Sequence, residues 1–243
     1  MHWTTLGVAC VLLVATVIRS AFGFGEALVA VPLLAMLLPV SVAVPIAVLV
    51  SITVAAVVLV QDWSEVHARS AGWLVFFTLL GIPLGLLLVT RVAEPIIKVV
   101  LGCVIIIFSM YSLSGQRRAS LLDDRFAWLF GFSAGVLGGA YGMNGPPLVI
   151  YGTLRGWSPR HFRATLQGYF LPASVVIMAG YWLDGMWTRA VTHYYLVSLP
   201  AVLLAIPVGR GINRRMHSRR FLRYVHVGLI AVAAALLVQA LRP

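Results

Sequence analysis

A chain of 243 residues that is 61% hydrophobic and only 10% charged excludes an ordinary soluble domain, which runs nearer about 45–50% apolar and 25% charged. The formal net charge of +11 sits in short stretches between apolar runs, as membrane orientation requires and not as a nucleic-acid-binding face. Long unbroken apolar runs, with a mean hydropathy of +0.98, point to an all-α integral membrane protein and not to a barrel of alternating residues.

Met1–Val17 lacks a basic leader region and a small-residue cleavage site, so it reads as the first membrane helix and not as a signal peptide. Apolar segments are expected at Trp3–Ile18, Ala27–Leu38, Val40–Val60, Trp73–Thr90 and Ile96–Leu113. After the polar linker Ser114–Arg125 they resume at Phe126–Gly142, Pro146–Leu154, Ala164–Leu183, Tyr194–Val208 and Leu222–Leu241. Ala27–Leu38 and Pro146–Leu154 are too short to cross a hydrocarbon core about 30 Å thick. If each completes a broken first helix, the chain has about eight transmembrane helices in two repeats. If each is a re-entrant hairpin, the repeats are inverted. The eight-helix arrangement is the expectation.

The halves repeat. Gly23 and Pro32-Leu33 match Gly138 and Pro147-Leu148 at an offset of 115 (138 minus 23). Ile82-Pro83-Leu84-Gly85 and Arg91 match Ile206-Pro207-Val208-Gly209 and Arg215 at 124 (206 minus 82), and Gly102 matches Gly228 at 126 (228 minus 102). The expectation is a single membrane transport domain over 1–243, with repeats 1–113 and 126–243 joined by linker 114–125. Duplicated bundles of this kind are common among secondary transporters. The arginines of Arg210–Arg223, with Arg155, Arg160 and Arg163, belong on the cytoplasmic side. Gln61–Arg69, Asp184–Arg189 and both termini then fall outside, and Arg91 and Lys98 inside. The linker, with Arg117, Arg118 and Arg125, also falls outside, against the charge rule, unless the short segments are hairpins.

Glycine costs a helix about 1 kcal/mol and interior proline about 3. Gly23, Gly25 and Pro32 in the first half, and Gly138, Gly139, Gly142, Gly145, Pro146 and Pro147 in the second, therefore mark helix breaks. Broken backbone at membrane depth persists where protein buries it or where it lines a cavity, and half-helix N-termini there favour anions. Arg19 and Glu26 flank the first break. Glu26 is either a proton-loading carboxylate or the structural partner of Arg19. Arg163 and Gln167 share a face one turn apart, with Arg163 either an oxyanion ligand or an inside anchor. Tyr141, Asn144 and Gly145 complete the candidate substrate-binding set. Trp63, Trp73, Trp157, Trp182 and Trp187 read as interfacial belts. Cys10 and Cys103 read as small buried hydrophobes. Without HExxH, GxSxG or metal-ligand spacing, no catalytic residue, metal or cofactor is expected.

The run Gly138-Gly139…Gly142…Gly145-Pro146-Pro147-Leu148-Val149-Ile150-Tyr151 resembles the second-repeat signature of the TauE/SafE family. These are sulfite and organosulfonate permeases, also called the 4-toluene sulfonate uptake permease (TSUP) family. Phe22–Leu28 with Val31–Leu34 is similar to the first-repeat signature, and the resemblance extends over essentially the whole chain. One departure is Gly25-Glu26-Ala27, where many members carry three glycines. The resemblance implies transport of small sulfur-containing or organic anions such as sulfite or sulfonates. The expected protein is thus a multi-pass secondary active transporter of the cell membrane, in a bacterium the inner membrane. It works by alternating access, with protons as a candidate coupling ion and a passive anion channel as the alternative. Its partners are the anion and the bilayer, not nucleic acid.

Overall fold

The computed structural model describes residues 2–62, 68–114, 125–157, 159–215, 227, 229–231, 233–234, 237–238 and 240. The helices are α1 (His2–Phe22), α2 (Glu26–Ala35), α3 (Val40–Asp62), α4 (Ala68–Arg91), α5 (Glu94–Leu113), α6 (Ala127–Tyr141), α7 (Gly145–Leu154), α8 (Pro159–Leu183) and α9 (Arg189–Arg215). Described residues between 227 and 240 are helical too, and no strand occurs among the described residues. Six helices, α1, α3, α4, α5, α8 and α9, are long and apolar enough to cross a membrane. The linker 115–124, Trp63 and the arginine-rich stretch 216–226 lie outside the described residues.

The short helices depart from the expected arrangement. Neither α2 nor α7 continues the helix before it; each folds back beside it. A methyl group built on Gly7, near the start of α1, would touch Leu37 just beyond α2 at 3.4 Å. Likewise the ring of Tyr151, late in α7, lies 5.4 Å from that of Phe130, early in α6. Left-handed glycines make both reversals. Gly23 and Gly25 have φ of 85° and 96°, and Gly142 has 65°, conformations that a Cβ disfavours. The Gly142 N–H closes onto the Gly138 carbonyl at 2.7 Å, the single bond of a left-handed helix cap, and the Met143 N–H bonds the Leu137 carbonyl at 3.2 Å. Pro32 sits inside α2, seven residues past Gly25, so it does not make the break.

The hairpins correspond at an offset of 119 (142 minus 23, and likewise 145 minus 26). This is one helical turn from the register that the matching glycines and prolines suggest. Packing between helices follows the same correspondence. Helix α4 lies along α6, α1 along α9, and α3 across α8. A methyl on Gly85 would meet Val136, Gly139 and Ala140, and one on Gly209 would meet Val17, Ser20 and Ala21, the same three places at that offset. Small residues allow this close approach of backbones, which drives helix association in lipid. Of the six long helices α3 is the most buried, while α4, α5 and α9 turn most of their surface outward. Cys10 and Cys103 are exposed on that outer surface and do not belong to the core. Trp73, Trp182 and Trp187 are exposed near helix ends, whereas Trp157 packs between Tyr151 and Phe162.

Candidate anion site at the hairpin tips

The two reversals face one cavity. Its walls are Arg19 from α1, Phe24–Leu28 from the first tip, Ser51 from α3, Gly142–Pro146 from the second tip and Phe170 from α8. The space between the atoms is about 300 Å³, but a water-sized sphere can occupy only about 20 Å³ of it, roughly one water. The tips differ as donors. The first turn of a helix lacks intrahelical partners for its N–H groups. At α2 these belong to Glu26, Ala27 and Leu28. At α7 two of the first three residues are Pro146 and Pro147, which have no N–H. The α2 terminus therefore supplies most of the backbone donors.

Among the described residues, Arg19 and Glu26 are the buried charged groups, 3% and 2% exposed. They form an ion pair through Arg19 Nη1 and Glu26 Oε2. The same Nη1 donates to Ser51 Oγ at 2.7 Å, and the Ser51 and Ser174 hydroxyls meet at 3.2 Å. Nη2 donates to Gln167 Oε1 at 3.0 Å. Gln167 Nε2 in turn donates to the Gly23 carbonyl at 2.8 Å, which an open helix end would leave unmet. The Phe170 ring lies under the guanidinium, 4.8 Å from Cζ, a favourable cation–π placement. Arginine suits this position because its planar fork spreads several donors over fixed directions. Arg19 Nε, Glu26 Oε1 and Asn144 Nδ2 are buried without hydrogen-bond partners. The Asn144 amide lies beside the Tyr169 hydroxyl, which is itself bonded to Thr78 at 2.6 Å.

Of the residues singled out from the sequence, Arg19, Gly25, Glu26, Gly142, Asn144, Gly145 and Pro146 line the cavity. Gln167 and Gly23 stand one hydrogen bond behind it. Gly138 and Gly139 support the second tip from outside. Their carbonyls accept from the Tyr181 hydroxyl at 3.2 and 2.7 Å, and Gly139 abuts α4. Tyr141 is buried but is not part of the cavity wall, nor is Pro32. Pro147 lines a separate apolar crevice between α5 and α6. Arg163 lies on α8 one turn before Gln167, with its side chain outside the described residues. Ser51 and Ser174 were not expected. Their one signal is a hydroxyl within an otherwise apolar span.

Comparison with curated proteins and with solved structures gives no significant match. The family profile described as "Sulfite exporter TauE/SafE" matches residues 8–237. A buried arginine between two hairpin tips in a multi-pass helical bundle accords with an anion transporter, and the extent of the match shows that the chain belongs to the TauE/SafE sulfite exporter family of membrane transport proteins.

Proposed function

We propose that the chain is a secondary active transporter of small sulfur-containing or organic anions, such as sulfite or simple sulfonates, working by alternating access. The observation that carries this reading is the cavity shared by both hairpin tips, with Arg19 buried in its wall. Arg19, Asn144 and the N–H groups of the α2 terminus hold the anion, Gly145 and Pro146 shape the wall, and Gln167 positions Arg19. Glu26 is the proton-coupling carboxylate. The tightness of the cavity supports a closed state that must open to admit substrate. Repeats 1–113 and 126–243 are read as an inverted duplication, each contributing one hairpin and three spans, the last span of the second being the C-terminal helix.

Charge supports an orientation. Helix starts and ends bearing Arg69, Arg125, Arg155, Arg160, Arg163, Arg210, Arg214 and Arg215 gather on one side, against Arg91, Lys98 and Arg189 on the other. The first side is cytoplasmic by the positive-inside rule, in a cell membrane, with both termini outside. The hairpin arrangement removes the conflict over the linker, moves Arg91 and Lys98 outside, and moves the stretch 61–69, expected outside, to the cytoplasmic side.

The test is flux of labelled sulfite and methanesulfonate into proteoliposomes, with and without a pH gradient. Saturable uptake that exchanges with cold internal anion is expected. Flux that neither saturates nor exchanges would refute alternating access.

A further inference from the structure

Arg19 is shared. Its Nη1 holds the Glu26 carboxylate and the Ser51 hydroxyl, its Nη2 holds Gln167, and its Nε faces no acceptor. Glu26 uses one carboxylate oxygen for Arg19 and leaves Oε1 unpaired. It is also the first residue of α2, near the positive end of that helix, where negative charge is favoured. The carboxylate therefore occupies the guanidinium donors that a bound oxyanion would want. The cavity has room for roughly one water-sized sphere, so an oxyanion does not fit beside it. Neutrality argues the same way. One buried cation is balanced by one buried anion, and a second anion would leave a net negative charge in a dry site.

We propose that Glu26 is an internal substitute for the transported anion, so that carboxylate and substrate are alternative ligands of Arg19. Binding then requires that Glu26 take up one proton from water and release the guanidinium. The substrate oxyanion occupies the vacated donors, and the site stays neutral. Departure of the anion reverses the exchange: Glu26 returns its proton to the side that receives the substrate and closes on Arg19 again. One proton thus accompanies each monovalent anion in the same direction. The inference rests on the anion-transport reading above and adds the coupling rule. Among the described residues, Arg19 on α1 is the charged group that faces Glu26. The other titratable groups nearby are the phenols of Tyr141 on α6 and Tyr169 on α8, whose ordinary pKa is about 10. Ser51 and Ser174 from α3 and α8 are neutral. A proton exchanged near neutral pH therefore belongs to Glu26.

The experiment is calorimetric titration of the purified full chain with methanesulfonate, a strong-acid anion whose own charge is constant from pH 5 to pH 8. Buffers of different ionisation enthalpy report the protons taken up. The expected result is one proton bound per anion at the upper end of the range, with Kd rising about tenfold per pH unit there. Glu26→Gln should bind at all pH values with the affinity that wild type reaches at low pH, and take up no proton. Wild-type binding with no proton uptake and a constant Kd would overturn the inference while leaving an anion site. An unchanged pH dependence in Glu26→Gln would overturn it as well. The wild-type proton count decides even if that variant fails to fold. No binding of methanesulfonate or of sulfite at any pH would instead remove the sulfur-oxyanion reading itself.

Discussion

Ser51 and Ser174 bring their hydroxyls together at 3.2 Å where α3 crosses α8, 123 positions apart (174 minus 51). The contact joins the two halves of the chain directly behind the buried guanidinium, which bonds Ser51 at 2.7 Å. Ser51→Ala removes an acceptor from a buried charge and should lower stability by about 1–3 kcal/mol. Ser174→Ala removes only the neutral bond and should cost less. In the double variant the losses should not add, because the two hydroxyls share one network. Thermal unfolding in detergent measures all three.

Arg19→Ala strands the Glu26 carboxylate in a buried site, and breaking such a pair costs about 3–5 kcal/mol. Arg19→Ala combined with Glu26→Ala should recover part of that loss, because no unpaired charge remains. Both variants should fail to bind methanesulfonate. A double variant less stable than Arg19→Ala would contradict the pairing.

If Asn144 binds the anion as proposed, its side chain is the donor, since Pro146 and Pro147 remove most of the N–H groups at that tip. Asn144→Ala should weaken anion binding about tenfold, the effect of one hydrogen bond of roughly 1.4 kcal/mol. Asn144→Asp, which puts a second carboxylate at the cavity, should abolish it. Equilibrium binding of labelled methanesulfonate distinguishes the two.

Gly85 and Gly139 lie back to back, and a methyl on Gly139 would come within 2.6 Å of the Ile82 carbonyl. Gly85→Ala and Gly139→Ala should each destabilise by about 1–3 kcal/mol or more as the helices are pushed apart. Gly72→Ala, also on α4 but with nothing within 4 Å, should be neutral or slightly stabilising. The comparison by thermal unfolding separates helix contact from helix propensity.

Hairpin topology predicts opposite accessibility for two single cysteines placed in a background with Cys10 and Cys103 replaced by alanine. Ala93→Cys, between α4 and α5, should react with a membrane-impermeant maleimide on intact cells. Phe126→Cys, at the start of α6, should react only after lysis. The reverse pattern would invert the orientation.

Much of the fold was legible because apolar length is a strong signal. Nearly every predicted segment became a helix, with ends shifted by a few residues where charged ones such as Arg19, Arg189 and Arg215 remained helical. The breaks were legible as glycine clusters, and Arg19 and Glu26 as charges in the wrong solvent. The reversal at each break was not. A left-handed glycine and a merely tolerated one look the same in a sequence, and nothing local to Gly142 records that Tyr151 returns to Phe130. The register of the hairpins differs by a turn from the one that the Gly and Pro matches suggest, because such matches are cheap in this composition. The helix contacts support the offset of 119 through three positions, of which Val17/Val136 and Ala21/Ala140 share a residue type and Ser20/Gly139 do not. Ser51 escaped notice because its partner is 32 residues away in sequence.

In the structural register Arg19 and Glu26 correspond to Gly138 and Gly145, so one hairpin carries the entire charge and the other none. A molecule with chemically interchangeable halves would spend equal time facing either side of the membrane. Here the ion pair belongs to one tip, and trading the roles of the two halves does not return an equivalent site. On the alternating-access reading proposed above, the empty carrier would therefore prefer one face, set by chemistry and present before any gradient is applied.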